Sequence, residues 1–577
     1  MPGAAVELGD ARAPAPRLIR YLAPILADAE FRAATVLVAV VLVVGLASAS
    51  DYGITPDEFL FNDYGPKAVA WYASGFSDRS VFDFYDVYLY GPWCQILVFF
   101  AQSLHVADPF VTRHAVTFVV GLGGIAALVP IGRRAASRWA GLAAVVLCLT
   151  TGNLYGQLFF TPNDVPFMAA MTWATLAVIV MTSRTIPTWP ATVAAGVFTG
   201  LAIATRFGGV LSQAYLVGAM ALRAIEAICR ADGFAGKSLV AIGIRTLAAL
   251  VLGWLTAIAL WPWLQIGNPF LQFKAVYDYF IISYVQFNFM AWGESVFSGA
   301  LPWHYIPGQL AARLPEGFVA LLVIGLAFLV YVPARSLYEL TRGKKRDDAG
   351  AVIRSLLAEL AQSRALLVVV VAALGPPIFV VARGSVVFDA LRHVLFVIPL
   401  LAVIAAWALV KLAPLLLRFR AVAISAAALH VVTTVGTMAY LHPLEYIAMN
   451  GFAGGVAGAY GRFDLDYWSE AATVAIRRLE RRLAHDGPPR FATREPRVLV
   501  CIGWREPMVG PMFWQPWTIA TEPGGADFVI ELERWPCGKN VRGTVIDRVE
   551  RFGRTFATTI ETETGADPHP GATGGRK

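Results

Sequence analysis

The sequence predicts an all-α polytopic membrane protein with a small α/β module at its C-terminal end, and three observations predict it. Of 577 residues, 57% are hydrophobic and only 15% are charged, against roughly 25% charged in an ordinary soluble domain. Mean hydropathy is +0.59, which excludes a soluble enzyme. Uncharged apolar runs of about 20 residues, the length that spans a bilayer, recur along the chain.

The runs lie at 33–50, 114–132, 139–158, 165–182, 190–205, 208–222, 240–262, 317–333, 365–382, 394–410 and 421–440, giving about eleven transmembrane helices. A further stretch, Tyr88 to Leu104, is apolar enough to be ambiguous, and charge decides its place. Short Lys/Arg-rich loops stay in the cytoplasm. If the stretch crossed, the loops with Arg133, Arg134 and Arg138, with Arg184, with Arg223, Arg230 and Lys237, with Arg342 to Arg346, and with Lys411, Arg418 and Arg420 would all lie outside. If it does not cross, all of them lie inside, so it is expected to be interfacial or re-entrant.

This topology gives a cytoplasmic segment 1–32 and a transmembrane domain 33–440 whose first outer loop is 51–113. An extracytoplasmic module 441–562 and a disordered tail 563–577 follow. The first span is a retained signal-anchor, since its positive flank is long and its apolar run is full length. In the module, Ser469 to His485 carries a helical period, while Arg497 to Ile502, Asp527 to Leu532 and Thr555 to Ile560 read as strands. The expected location is the plasma (inner) membrane, with the polar clusters and the C-terminus outside.

Lys+Arg 47 against Asp+Glu 40 gives a net charge of +7. The positive residues sit between apolar runs, so the excess is topogenic and points to no nucleic acid. Five cysteines show no metal spacing and no CxxC, and Cys501 with Cys537 form a candidate disulfide. Neither a phosphate loop of the GxxxxGK[ST] kind nor a dinucleotide fingerprint is present, so any energy must come from the substrate.

The candidate residues fall on the outer side. Thr55-Pro56-Asp57-Glu58 fits a capping box, in which Thr55 caps and Glu58 reaches back; this leaves Asp57 free at the membrane boundary. Asn163-Asp164 precedes a span, as a cap or as a functional pair. Arg206 closes a span where a cation is favoured anyway. Arg392-His393 sits where the helix dipole opposes cations, so an anion is expected nearby, either Asp389 or a ligand phosphate. Glu294, His304 and Tyr305 belong to an aromatic-rich outer loop that suits either an interface belt or sugar stacking. His430 lies mid-span and is read as a satisfied core histidine, and Gly196 with Gly200 as a close helix contact. The middles of the spans otherwise lack ionisable groups, which weighs against an ion-coupled transporter.

Asp57-Glu58, Phe160 to Pro166, Leu260-Trp261-Pro262-Trp263, Leu301 to Pro307, Asp389 to His393, His442 to Tyr446 and Gly458 to Trp468 occur in one order. Together they resemble bacterial GT-C glycosyltransferases of the protein-mannosyltransferase and aminoarabinose-transferase superfamily, over about Val36 to Trp468. The resemblance implies a GT-C-like fold, a polyprenyl-phosphate-linked sugar donor, an extracytoplasmic site and inversion at the sugar carbon. It implies Asp57 as the catalytic carboxylate and Asp164 as the second acidic position. The expected function is therefore transfer of a monosaccharide to a glycan, lipid or protein acceptor. Asp57 is the candidate base, and Glu58 or Asp164 positions the acceptor. Arg392, His393 and Arg206 are the phosphate candidates, and Glu294, His304, Tyr305, His442 and Glu445 the other substrate-binding candidates. No cofactor is required, although Asp57, Glu58 and Asp164 could together hold a divalent ion. The competing class is a lipid-linked sugar translocator or a non-catalytic polysaccharide-export component.

Overall fold

A computed structural model describes residues 28–229, 235–342, 360, 362–486, 494–502, 509–513, 515, 517–536 and 541–563. Segment 1–27, the tail from 564 and Cys537 lie outside the described residues. Cys501 is disulfide-bonded.

All eleven apolar runs are helical. Nine helices among the described residues are long and apolar enough to cross a membrane. The first is Ala29–Ser48 (α1). The loop after it carries Pro56–Ala73 (α2) and Trp93–Gln102 (α3). At ten residues α3 is about 15 Å long, half a bilayer, so Tyr88 to Leu104 is too short a helix to cross. Pro109–Ala126 and Leu128–Ala135 (α4 and α5) follow.

The third run is bent by 74° between Arg138–Leu149 (α6) and Gly152–Phe160 (α7). At the break the Thr150 hydroxyl donates to the Val146 carbonyl at 2.8 Å, a back-bond that bends helices. Asp164–Met181 (α8) and the short Trp189–Ile203 (α9) come next. Val210–Cys229 (α10) and Ala235–Leu260 (α11) complete this half. A Cβ on Gly200 would stand 2.4 Å from the Gly253 carbonyl oxygen, so Gly196 and Gly200 do serve a close contact of α9 with α11.

A hairpin, Asn288–Ala291 (β1) with Glu294–Phe297 (β2), precedes Tyr305–Arg313 (α12) and Glu316–Arg342 (α13). Arg364–Arg383 (α14), Ile398–Arg418 (α15) and Arg420–Leu441 (α16) are the last spans. Helices α8 and α15 form the centre, with Asp164 to Met171 and Ile398 to Ala408 buried without a break. By contrast α16 is peripheral, and only Leu441 in it is buried.

The C-terminal part is an α/β unit, as the sequence predicts. Helix Glu470–Asp486 (α17) packs on a sheet of Arg497–Cys501 (β3), Thr518–Ile519 (β4), Phe528–Leu532 (β5), Gly543–Arg551 (β6) and Arg554–Thr562 (β7), in the order β4-β3-β5-β7-β6. Strand β6 escapes sequence reading because Asp547, Arg548, Glu550 and Arg551 interrupt its apolar period, and Arg551 is itself buried, bonded to the Leu441 and His442 carbonyls. Strand β5 pairs with β7 and ends beside Arg534, which reaches back to the membrane domain.

Candidate active site

The ends of α7 and α9 and the starts of α2, α8 and α15 meet at one end of the bundle. Thr55 caps α2: its Oγ1 accepts from the Glu58 amide at 3.3 Å, and Glu58 Oε2 accepts from the Thr55 amide at 3.0 Å. The Thr55 hydroxyl also lies 3.1 Å from the Phe160 carbonyl oxygen, fixing the start of α2 to the end of α7. This capping box leaves Asp57, in the first turn, directed at Arg392.

Arg392 is the hub. Its Nη2 contacts Asp57, its Nε donates to Asp164 Oδ2 at 3.1 Å, and its Nη1 lies 3.6 Å from Asp389 Oδ2. Its guanidinium stands 4.5 Å over the Trp468 ring. Asp164 uses its other oxygen for Arg206, which sits 5.5 Å from the Tyr90 ring. Three carboxylates therefore face Arg392, and one of them is shared with Arg206. The anion expected beside Arg392 is supplied by all three.

Asp57 keeps 24% of its side chain exposed, whereas Asp164 keeps 3%. Only the former is open to a substrate. Burial pushes the Asp57 carboxyl above the ordinary aspartate range; Arg392 opposes this shift, and Asp164 and Asp389 reinforce it. A carboxylate raised in this way is a stronger base than a solvated one.

The short helix α3 holds these turns together. Gln95 Nε2 donates to the Pro162 carbonyl at 2.9 Å, and Trp93 Nε1 donates to Thr205 Oγ1 at 2.6 Å. A Cβ on Gly91 would fall 1.5 Å from the Ala204 carbonyl oxygen, so only glycine lets the segment approach Arg206 so closely. Asp389 and Ala390 both have left-handed φ, +52° and +62°. Such strain, roughly 1–3 kcal/mol per residue, persists only where surroundings enforce it. Arg534 of the C-terminal unit is one such clamp, 3.3 Å from Asp389 Oδ1 and 3.4 Å from Asp464 Oδ2.

Several expectations are corrected by this geometry. Glu58 is fully buried and spends its carboxylate on the cap and on His114 Nε2 at 3.0 Å, so it faces away from any acceptor. The triad Asp57, Glu58 and Asp164 does not converge, and no group of three metal-ligating side chains is found among the described residues. Asn163 makes no side-chain cap on α8. His442 and Glu445 form a separate cluster: His442 Nδ1 lies 2.6 Å from Glu445 Oε1, and its Nε2 lies 3.0 Å from Asp51 Oδ2. Tyr52 donates to Glu445 at 3.0 Å and its ring lies 6.0 Å from that of Phe160.

Glu294 is exposed on the hairpin, and His304 is exposed beside Trp292 and Trp303, with ring centroids 5.5 and 5.7 Å away. Neither touches the arginine–carboxylate set among the described residues. Tyr305 is buried, packed 5.7 Å from the rings of both Phe289 and Trp292. His393 stands 4.7 Å from the Phe388 ring and lines, with Arg206 and Tyr284, a cavity between α10 and α14. That cavity shares Leu211, Pro376 and Phe379 with a second apolar one running along the same two helices past Tyr215 to Arg364.

No family model and no curated protein matches the chain. Among solved structures it is similar to apo ArnT from Cupriavidus metallidurans, with 15% identity and a TM-score of 0.43, covering 93% of this chain and 99% of that one. The same protein bound to undecaprenyl phosphate gives 13%, 0.44, 91% and 97%. AglB, the archaeal oligosaccharyltransferase from Archaeoglobus fulgidus in complex with an inhibitory peptide and a dolichol-phosphate, gives 13% and 0.41, covering 82% of this chain and 63% of that one.

Proposed function

We propose that this protein is an integral membrane glycosyltransferase. It moves a monosaccharide from a polyprenyl-phosphate donor to an acceptor hydroxyl on the extracytoplasmic side, with inversion. The observation that carries this reading is the contact between a partly open, pKa-raised carboxylate, Asp57, and a guanidinium, Arg392, which shares Asp164 with Arg206, a residue lining an apolar groove.

The chemistry requires few groups. A glycosidase must protonate a poor leaving group and so uses two carboxylates. A lipid phosphate leaves as a stable anion and needs positive charge instead. The acceptor O–H gives its proton to Asp57 while its oxygen forms the new bond to the sugar carbon. The bond from that carbon to the phosphate oxygen breaks, and the electron pair leaves with the polyprenyl phosphate. Protonation of Asp57 removes one of the charges holding Arg392 and frees its Nη2 for the departing phosphate, with Arg206 beside it. Asp164 keeps both arginines in place. The groove between α10 and α14 fits the prenyl chain, and no step is routed through a metal ion.

Incubating the purified protein with a polyprenyl-phosphate sugar and an envelope extract tests this. Release of polyprenyl phosphate that depends on acceptor supports transfer. A translocator would leave the donor intact.

A further inference from the structure

Another cavity, of about 480 Å³, opens between α13 and α16. Arg313, Glu316, His430, Thr433, Thr434 and Asn450 line it. His430, Thr433, Thr434 and Thr437 follow the spacing i, i+3, i+4, i+7 and so mark one polar stripe on α16, the peripheral span. Thr433 and Thr434 donate to the Leu429 and His430 carbonyls of their own helix at 2.7 Å, which leaves their hydroxyl oxygens as acceptors along the cavity wall. His430 is no packed core histidine: it is half-buried, 3.2 Å from the Thr150 hydroxyl, and borders the cavity.

An independent observation gives the occupant's charge. Arg313 is 2% exposed, and its Nε donates to Gln309 Oε1 at 2.9 Å and its Nη2 to the Asp464 carbonyl at 3.4 Å. Its Nη1 has no partner, and no carboxylate pairs with it among the described residues. Asp464 supplies opposite charge nearby and the Tyr467 ring lies 6.0 Å away, but neither meets Nη1, and a buried N–H left without an acceptor is unfavourable and is relieved by an anionic oxygen. Glu316 stands exposed at the mouth, with Oε1 accepting from the Gly451 amide at 2.5 Å. A phosphate monoester, with up to two negative charges, would be repelled there. A phosphodiester carries one charge, and a primary ammonium beyond it meets the glutamate.

We propose that this cavity binds one bilayer phospholipid with an ethanolamine-type head. The phosphodiester lies at Arg313, the ammonium at Glu316, and the acyl chains run along α13 and α16. The site is independent of the transfer reaction proposed above, because none of its residues belongs to the Asp57–Arg392 centre.

Native mass spectrometry of the full chain released from nanodiscs of equimolar phosphatidylethanolamine, phosphatidylglycerol and phosphatidylcholine reads the retained lipid. Separate arms add undecaprenyl phosphate or inorganic phosphate. One phosphatidylethanolamine per chain is expected, enriched about tenfold over the other two lipids, equivalent to about 1.4 kcal/mol. Arg313→Gln and Thr434→Phe should lose it. The exposed Glu316→Gln should keep a phospholipid but lose the preference for ethanolamine, which separates recognition from folding. Retention of no lipid, retention of undecaprenyl phosphate or inorganic phosphate in its place, or wild-type retention by all three variants would overturn the assignment.

Discussion

Asp57 and Arg392, 335 residues apart in the chain, are in direct contact at the shared end of the bundle. One comes from the first loop helix and the other from the 3-10 turn that leads into the central span. A base and a phosphate-binding cation are thereby adjacent, and substitutions on each should have separable effects.

Asp57→Asn keeps the size and the hydrogen-bonding shape but cannot accept the acceptor proton. Transfer should fall by about 10²–10⁴-fold, the usual worth of general-base catalysis. Expression and the melting temperature should hold, as measured on the same preparation.

The acid limb of the rate profile should report Asp57. Its pKa is raised and only the ionised form is the base, so kcat/KM should climb with pH through a midpoint above the ordinary aspartate value. A limb at the ordinary aspartate position would remove Asp57 from this role.

Arg392→Lys keeps one charge but loses the planar fork that meets three carboxylates at once. We expect at least a roughly tenfold loss of transfer, about 1.4 kcal/mol. An unchanged rate would show that a point charge is enough.

Thr55→Ala removes the cap of α2 and should cost about 1 kcal/mol of stability, with Thr55→Ser restoring it. Thermal melting of the three proteins checks this.

His442 offers a stability test away from the catalytic centre. Burial alone would lower its pKa, but Glu445 and Asp51 outweigh burial and raise it. A raised folded-state pKa means that the His442 contribution is complete below the unfolded value, about 6.5. It is lost as pH rises through the folded value. The melting temperature should therefore fall across that interval in the wild type and fall less in His442→Gln.

Local signals in the sequence were legible because neighbours in sequence supply them. The Thr55–Glu58 box, the Asp389–Arg392 spacing and the short apolar stretch around α3 all appear as read. What could not be read is pairing over distance. Asp164 binds Arg206 across 42 residues, and a cap motif looks the same whether its acid bonds the helix or a distant arginine. Glu58, expected with Asp164 as a carboxylate that positions the acceptor, turns inward to His114, because consecutive helical residues point in different directions. Arg534 had no signal at all, since nothing in a strand-flanking arginine predicts a strained turn 145 residues earlier.

The most direct measurement is acceptor-dependent release of polyprenyl phosphate from a pre-bound polyprenyl-phosphate sugar by wild type and Asp57→Asn, with donor binding measured in parallel. The account predicts that both proteins bind donor and only the wild type releases the lipid phosphate. Equal release by the two, or no release by the wild type in the presence of acceptor, would contradict it.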